Sequence, residues 1–295
     1  MGVERLVAER RAIVEQALGR QLPAEGEYPP RIHEAIRYSV LNGGKRLRPV
    51  LAMAAVESVA GDATRIVKAA CAVEYVHSCS LVLDDLPCMD NALTRRGRPT
   101  VHRAFGVSTA ILAADALLMH SFRLVVDNGV EVGADGPRIA RAVRSLATAV
   151  GSFGMVGGQH VDLETASSDA IDPETLDYIQ TRKTGALFVV SATIGCTLLG
   201  VDDARIERLA DYARDLGHAY QIVDDILDSE GDPAVTGKDC GQDERRKTFV
   251  TVHGIDAARR ASSSLVASAK RSLEGLGGDP FLLVGIADHC LTRSA

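Results

Sequence analysis

The chain of 295 residues contains 46% hydrophobic and 24% charged residues, a composition typical of a soluble globular protein. Its formal net charge of -6 and its lack of tryptophan argue against general nucleic-acid binding. The six cysteines are scattered without a Cys-x-x-Cys pair, which argues against a disulfide framework and predicts reduced thiols in a cytoplasmic protein.

Apolar residues recur at steps of three and four along most of the chain, without sustained two-residue alternation, which predicts an all-α fold. The predicted helices cover 2–19, 32–42, 49–60, 66–84, 107–127, 138–155, 173–181, 185–199, 206–227 and 256–273. The predicted connections cover 20–31, 86–103, 128–137, 157–172, 229–248 and 275–280. None of them resembles a domain linker and no fixed repeat is visible, so we expect residues 1–295 to form a single domain.

One apolar segment requires a membrane check. Residues 185–201 carry no charge, but they are shorter than the roughly 20 residues that a transmembrane helix needs. The segment also contains Ser191, Thr193 and Thr197. We therefore expect a buried helix there and no membrane span.

A first acidic cluster ends the predicted helix 66–84, whose apolar stripe becomes polar at its last residues. Asp84, Asp85 and Asp90 lie within seven positions, and carboxylates that close repel one another unless a cation compensates them. Pro87 removes a helical N–H and disfavours the helical region for the residue before it. A break there would return Asp90 towards Asp84.

A second acidic cluster comprises Asp224, Asp225 and Asp228 in the predicted helix 206–227 and just beyond it. Asp224 and Asp228 are four residues apart, so on a helix their side chains project from one face. Either cluster alone is typical of a solvated helix end. Two such clusters, each at the polar end of an apolar stripe, instead favour a bound hard cation, Mg²⁺ or Mn²⁺, which takes carboxylate and phosphate oxygens.

Basic residues accompany the acidic clusters. In "GGKRLRP" two glycines, including Gly44, precede Lys45, Arg46 and Arg48, and such a turn lets backbone and cations approach a phosphate, although alone it usually meets water. Further candidates for the same role are Arg95, Arg96, Lys183, Thr184, Lys238 and Lys247. His77 lies on the face of Asp84, where a histidine is more often a core residue than a ligand.

These residues resemble the trans-isoprenyl diphosphate synthase family, and within it the bacterial short-chain geranylgeranyl diphosphate synthases. The resemblance covers about residues 43–250 through "GGKRLRP", "VEYVHSCSLVLDDLPCMDN", "RRGRPTVH", "GMVGGQHVDL", "RKTGAL", "YQIVDDILD" and "GKDCGQD". It implies an all-helical bundle around a deep central cavity, a homodimer, and condensation of isopentenyl diphosphate with an allylic prenyl diphosphate.

The resemblance also implies residue roles. Asp84, Asp90, Asp224 and Asp228 would bind Mg²⁺, with Asp85 and Asp225 completing the motifs. The allylic diphosphate would be held by Arg95, Lys183, Thr184, Gln221, Lys238 and Lys247. Isopentenyl diphosphate would be held by Lys45, Arg48, His77 and Arg96.

Product length would depend on the helix before the first cluster. Cys79 and Ser80 lie about one turn before Asp84 and are small, which favours a geranylgeranyl over a farnesyl product. Tyr75, His120 and Phe122 are candidates for a floor that stops longer chains.

Three other functions stay open at this point. A farnesyl diphosphate synthase would differ only in product length. A terpene cyclase also uses aspartate clusters, but it has no need of the basic pair Lys45 and Arg48. A non-catalytic synthase subunit would be expected to carry damaged aspartate motifs, and both motifs are intact.

Overall fold

In the computed structural model, residues 2–166, 171–230 and 248–293 are described, and they form an almost entirely helical fold. The helices of the first half are α1 (Val3–Gln21), α2 (Pro30–Val40), α3 (Leu47–Ala60), α4 (Val67–Asp84), α5 (Val101–Phe105), α6 (Val107–Glu131) and α7 (Gly136–Val150). Those of the second half are α8 (Met155–Thr165), α9 (Pro173–Ile179), α10 (Ala186–Leu199), α11 (Asp203–Glu230), α12 (Phe249–His253), α13 (Ile255–Ser272) and α14 (Phe281–Thr292). A short antiparallel hairpin pairs β1 (Thr94–Arg95) with β2 (Arg98–Pro99).

Helices α3, α4, α10 and α11 form the centre of the molecule. Helix α4 packs against α3 and α6, and α10 packs against α3, α7 and α11. Every residue from Val190 to Leu198 in α10 is buried, as expected for the uncharged segment 185–201. Its hydroxyl groups are satisfied locally, since Ser191 donates a hydrogen bond to the Leu187 carbonyl and Thr197 to the Thr193 carbonyl.

The helical periodicities predicted most of these elements. In α11, Leu209, Ala213 and Leu216 are fully buried, and α11 contains the whole predicted helix 206–227. In α4 the predicted stripe is buried at its start and half-buried at Asp84, where the helix ends. The all-α prediction is therefore confirmed, while the single domain over 1–295 stays a prediction.

Some predicted boundaries are wrong. The predicted helix 138–155 ends at Val150, because Gly151 and Gly154 interrupt it, and the predicted connection 157–172 contains most of α8. The predicted connection 86–103 holds the β1–β2 hairpin and the start of α5. Helix α14 was not predicted, and it follows the last predicted connection directly.

Two helices among the described residues are long and apolar enough to cross a membrane, Ala63–Asp84, which comprises a 3-10 turn and α4, and α6. This is weak evidence for a span, because the core helices of soluble proteins meet the same criterion. Two-thirds of the apolar window in Ala63–Asp84 is buried within the protein. The absence of a membrane span stays a prediction.

Candidate active site

The first acidic cluster folds back on itself at the end of α4. The backbone N–H of Asp90 donates a hydrogen bond to the Asp84 carbonyl at 2.9 Å, and the N–H of Asn91 donates one to the Leu86 carbonyl at 3.0 Å. Asn91 adopts a left-handed conformation with φ 48°, which completes the turn after Pro87. The predicted return of Asp90 towards Asp84 is confirmed.

Asp85 has a different task from its neighbours. Its carboxylate is 2% exposed and forms a bidentate ion pair with Arg95, whose Nε lies 2.9 Å from both carboxylate oxygens. Burial raises the pKa of the Asp85 carboxyl above its ordinary value, and the Arg95 guanidinium opposes that rise. Asp85 therefore fixes the orientation of Arg95 at the base of the β1–β2 hairpin.

In the second cluster, Asp225 is likewise directed at protein donors. It accepts hydrogen bonds from Gln180 Nε2 at 3.1 Å, Gln221 Nε2 at 3.0 Å and the backbone N–H of Phe249 at 2.9 Å. Burial raises the pKa of its carboxyl to about 6. Asp225 thus joins α11 to the π-helical turn Gln180–Gly185 and to the start of α12.

Asp224 has a partner that the sequence pattern did not reveal. Arg293, which follows α14, donates a hydrogen bond from a terminal nitrogen to Asp224 Oδ1 at 2.7 Å and another to the Tyr220 carbonyl at 2.6 Å. The same guanidinium lies 3.6 Å from the Tyr220 ring centroid. Since Arg293 is 69 positions from Asp224, no local spacing signal pointed to it.

Lys183 and Thr184 lie in the π-helical turn Gln180–Gly185, a conformation that often marks functional sites. Lys183 Nζ lies 2.6 Å from Asp162 Oδ2 in α8, and the Thr184 hydroxyl donates a hydrogen bond to Gln221 Oε1 at 2.9 Å. Asp162 and Gln180 were not among the predicted site residues. The signal for Asp162 was its place in "GMVGGQHVDL", a motif that matched the family as a whole.

A second basic group surrounds the turn between α2 and α3. Arg48 reaches within 3.5 Å of His77 Nε2 and stacks 4.9 Å over the Phe188 ring, while its buried Nε has no hydrogen-bond partner. Burial lowers the pKa of the Arg48 guanidinium, because a cation that loses water is destabilised until an anion approaches it. Burial and the nearby Arg48 also lower the pKa of His77, which keeps its ring neutral.

Arg96 and the two glycines of the turn fit together closely. Arg96, with φ 52°, donates a hydrogen bond to the Gly43 carbonyl. A Cβ on Gly44 would lie 2.8 Å from the Arg96 guanidinium carbon, so only glycine permits this approach. Lys45 is exposed beside it.

Arg46 differs from its neighbours in the basic turn. The resemblance gave substrate roles to Lys45 and Arg48 but none to Arg46, whose side chain is fully buried in ion pairs with Glu15 and Glu74. Lys238 and Lys247 lie outside the described residues.

Contacts bring the two clusters into one region. Gln159 of α8 lies 3.8 Å from Met89 in the first cluster's loop, and Asp162 of α8 pairs with Lys183. The residue after Lys183, Thr184, hydrogen-bonds Gln221, and Gln221 in turn donates to Asp225 of the second cluster. Among the described residues, no three His, Cys, Asp or Glu side chains form a metal cage by themselves.

The chain-length residues lie in the core of the molecule. Cys79 is 3% exposed, and the Tyr75 ring lies 5.5 Å from the His120 ring, while their roles in chain length stay predictions. Phe122 packs against the same core. A mostly apolar cavity of about 830 Å³ opens instead between α1, α3, α11 and α14, and neither Cys79 nor Ser80 lines it.

Comparisons with known proteins show the family to which the chain belongs. A family model described as polyprenyl synthetase matches residues 29–274. A chloroplastic geranylgeranyl pyrophosphate synthase of Capsicum annuum is 39% identical over 290 residues, 97% of this chain and 78% of that protein. A geranylgeranyl pyrophosphate synthetase from Pyrococcus horikoshii matches with a TM-score of 0.89 and 30% identity over 98% of this chain and 99% of that one.

A structure of an FPP/GFPP synthase from Zymomonas mobilis matches with a TM-score of 0.87 and 34% identity, over 98% of both chains. The similarity extends over almost the whole of this chain and of the two solved structures, and over 78% of the Capsicum protein. The chain therefore belongs to the polyprenyl synthetase family and is a prenyltransferase.

Proposed function

We propose that the chain condenses isopentenyl diphosphate with an allylic prenyl diphosphate and that geranylgeranyl diphosphate is its main product. The observation that carries the proposal is the presence of two acidic clusters together with two separate groups of basic side chains. In one group Arg95 pairs with Asp85 of the first cluster and Lys183 pairs with Asp162 of α8. The other surrounds Arg48 and His77 and supplies a second anion site.

Enzymes of the family use a divalent metal ion. We propose Mg²⁺, with Mn²⁺ as an alternative, held by Asp84, Asp90, Asp224 and Asp228. Such an ion neutralises charge on a departing diphosphate. Arg95, Lys183 and the Thr184–Gln221 pair would hold that diphosphate, and Lys238 and Lys247 belong to the same proposal.

The reaction follows from the two anion sites. The allylic C–O bond ionises as cationic side chains stabilise the leaving pyrophosphate, and Lys45, Arg48 and Arg96 hold isopentenyl diphosphate nearby. The isopentenyl double bond attacks the allylic cation, and loss of a proton, assigned to the released pyrophosphate as acceptor, gives a diphosphate longer by one isoprene unit. The buried Phe188 ring and the half-buried Tyr220 ring would help to exclude water from the cation.

Product length is the finer part of the proposal. Cys79 lies about one turn before Asp84 and is small, which supports geranylgeranyl over farnesyl diphosphate. The names of the Capsicum and Pyrococcus relatives support the same product, whereas the Zymomonas relative is named as an FPP/GFPP synthase. A farnesyl product is therefore the nearest alternative.

We also propose that the chain forms a homodimer in the cytoplasm. Apolar side chains line the solvent-exposed side of α6, where Leu112, Met119 and Val126 recur every seven residues with 56%, 55% and 40% exposure. Such a row on one helix suits a self-complementary contact. Light scattering should give twice the 31.3 kDa chain mass, and Met119→Lys should give the monomer, whereas the exposed control Tyr28→Lys should stay dimeric.

The reaction class is tested by an omission experiment. The protein is incubated with Mg²⁺ and farnesyl diphosphate, with and without isopentenyl diphosphate. Prenyl transfer predicts a longer prenyl diphosphate only when isopentenyl diphosphate is present. A hydrocarbon formed without isopentenyl diphosphate would instead identify a terpene cyclase, and inactivity with every allylic starter would favour a non-catalytic subunit.

A further inference from the structure

The turn that carries the second basic group contains an unusual arginine. Arg46 adopts a left-handed backbone conformation with φ 52°, which is uncommon for a residue with a side chain. Its side chain is 0% exposed, although arginine is rarely buried unless it is paired. A conformation of this kind persists only where the surrounding structure enforces it.

The surroundings of Arg46 come from three parts of the chain. Its Nε lies 2.8 Å from Glu15 Oε1 in α1, and one terminal nitrogen lies 2.6 Å from Glu74 Oε1 in α4. The other terminal nitrogen donates hydrogen bonds to Glu15 Oε2 at 3.3 Å and to the Val40 carbonyl at 2.7 Å. This Glu15–Arg46–Glu74 triad ties the turn to α1, to α4 and to the end of α2.

Stability alone does not account for the triad. Replacing a buried ion pair by apolar side chains is often neutral or stabilising, because taking charges out of water is costly. What a bidentate guanidinium does provide is a defined geometry. Glu74, itself 2% exposed, precedes His77 by three residues and so occupies the neighbouring position on the same side of α4.

The basic residues beside Arg46, Lys45 and Arg48, need a fixed backbone if they are to hold a diphosphate. Lys45 precedes Arg46 directly, and Arg48 follows two positions later with a buried Nε that has no protein partner. We propose that Arg46 is a positioning residue for the second diphosphate site, acting through the triad to orient Lys45 and Arg48 towards a diphosphate beside His77. The inference rests on the proposed function, because the diphosphate is assigned to isopentenyl diphosphate there.

The test uses Arg46→Lys, which keeps the positive charge but loses the planar guanidinium that bonds to Glu15 and Glu74 together. The KM for isopentenyl diphosphate should rise about tenfold or more, while the KM for farnesyl diphosphate stays within about twofold, as expected when only one substrate's anchor is misplaced. Glu15 is the more exposed of the two carboxylates that pair with Arg46. Glu15→Gln should raise the KM for isopentenyl diphosphate by about threefold. The matched control is Arg10→Lys, since Arg10 pairs with Glu57 between α1 and α3 outside the turn.

A binding measurement without catalysis accompanies the kinetics. Isopentenyl diphosphate alone should raise the melting temperature of the wild-type protein and of Arg10→Lys, and at the same concentration it should raise that of folded Arg46→Lys by clearly less. Equal KM values for isopentenyl diphosphate in Arg46→Lys, Glu15→Gln and wild type would overturn the inference. An equal rise of the KM values for isopentenyl and farnesyl diphosphate would overturn it too, because it would indicate a general loss of structure in the active site. A wild-type protein that does not condense the two substrates at all would overturn the proposed function first, and this inference with it.

Discussion

At the scale of single residues, the middle aspartate of each acidic cluster faces the protein. Asp85 holds Arg95, and Asp225 accepts hydrogen bonds from Gln180, Gln221 and the Phe249 backbone. The middle carboxylate of each motif therefore organises its surroundings, and the second motif also pairs Asp224 with Arg293, so that roles are divided among the carboxylates. A run of aspartates in the sequence does not show this division, because it depends on which side chains the fold brings to each oxygen.

This division predicts the effect of Asp85→Asn. The amide cannot form the charged bidentate pair, so Arg95 loses its fixed orientation, and kcat/KM for the allylic substrate should fall about 100-fold. Steady-state kinetics measure the change. The control Asp211→Asn, which breaks an exposed pair with Arg214, should leave kcat/KM unchanged. Wild-type kinetics in Asp85→Asn would contradict the role given to the ion pair.

A second prediction concerns product length. Cys79→Tyr places a ring one turn before Asp84 and should shorten the main product to farnesyl diphosphate, as chromatography of the dephosphorylated products would show. Cys79→Ser retains the size of the side chain and should keep the wild-type product. An unchanged product profile in a folded Cys79→Tyr enzyme would refute the gatekeeper role.

The cysteines give a third prediction. Burial raises the pKa of Cys71, Cys79 and Cys196 to about 12 and that of Cys290 to about 11, so these thiols stay neutral at pH 8. Cys88 is the exposed cysteine within the part of the chain that the structure describes. In a Cys240→Ser background, a thiol reagent should therefore titrate one thiol in the native protein and all five after denaturation. A second rapidly reacting thiol in the native protein would contradict the burial.

At the scale of secondary-structure elements, α8 and the π-helical turn Gln180–Gly185 depend on each other. A Cβ on Gly158 would lie 2.3 Å from the Lys183 backbone nitrogen, so glycine is needed for this approach. Gly158→Ala should push the turn away, destabilise the protein by about 1–3 kcal/mol and weaken activity through Lys183. Thermal unfolding and kinetics test both effects, and Gly19→Ala, which has room in α1, should match wild type.

The same elements show how far the sequence could predict the fold. The apolar periodicity of α4 and α11 predicted both helices and the faces that carry Asp84, Asp224 and Asp228. Helix α8 was missed because Gly157 and Gly158 are poor helix formers, and only packing against the π-helical turn compensates for them.

Sequence patterns did not predict contacts between side chains that lie far apart in the chain. The basic turn predicted anion binding, but it did not distinguish the buried Arg46 from Lys45 and Arg48, since that depends on Glu15 and Glu74. Arg293 follows a helix that was not predicted, and its contact with Asp224 exists only in the folded chain.

At the scale of the whole molecule, packing of distant segments creates a site that no single segment contains. Helix α8 links the loop of the first cluster to Lys183, and the Thr184–Gln221 hydrogen bond continues that link to the second cluster. Arg48 stacks on Phe188, which in turn contacts the Tyr220 ring. Both proposed anion sites therefore adjoin one region of the core, as a reaction between two diphosphate substrates requires.

The most direct test of this account is to identify the product that the purified protein forms from Mg²⁺, isopentenyl diphosphate and farnesyl diphosphate. After dephosphorylation, the account predicts geranylgeraniol as the main product. Farnesyl diphosphate left untouched, with dimethylallyl diphosphate converted to farnesol, would contradict the product length and leave the reaction standing. No condensation with any allylic diphosphate would contradict the central claim that this chain is an active prenyltransferase with two diphosphate sites.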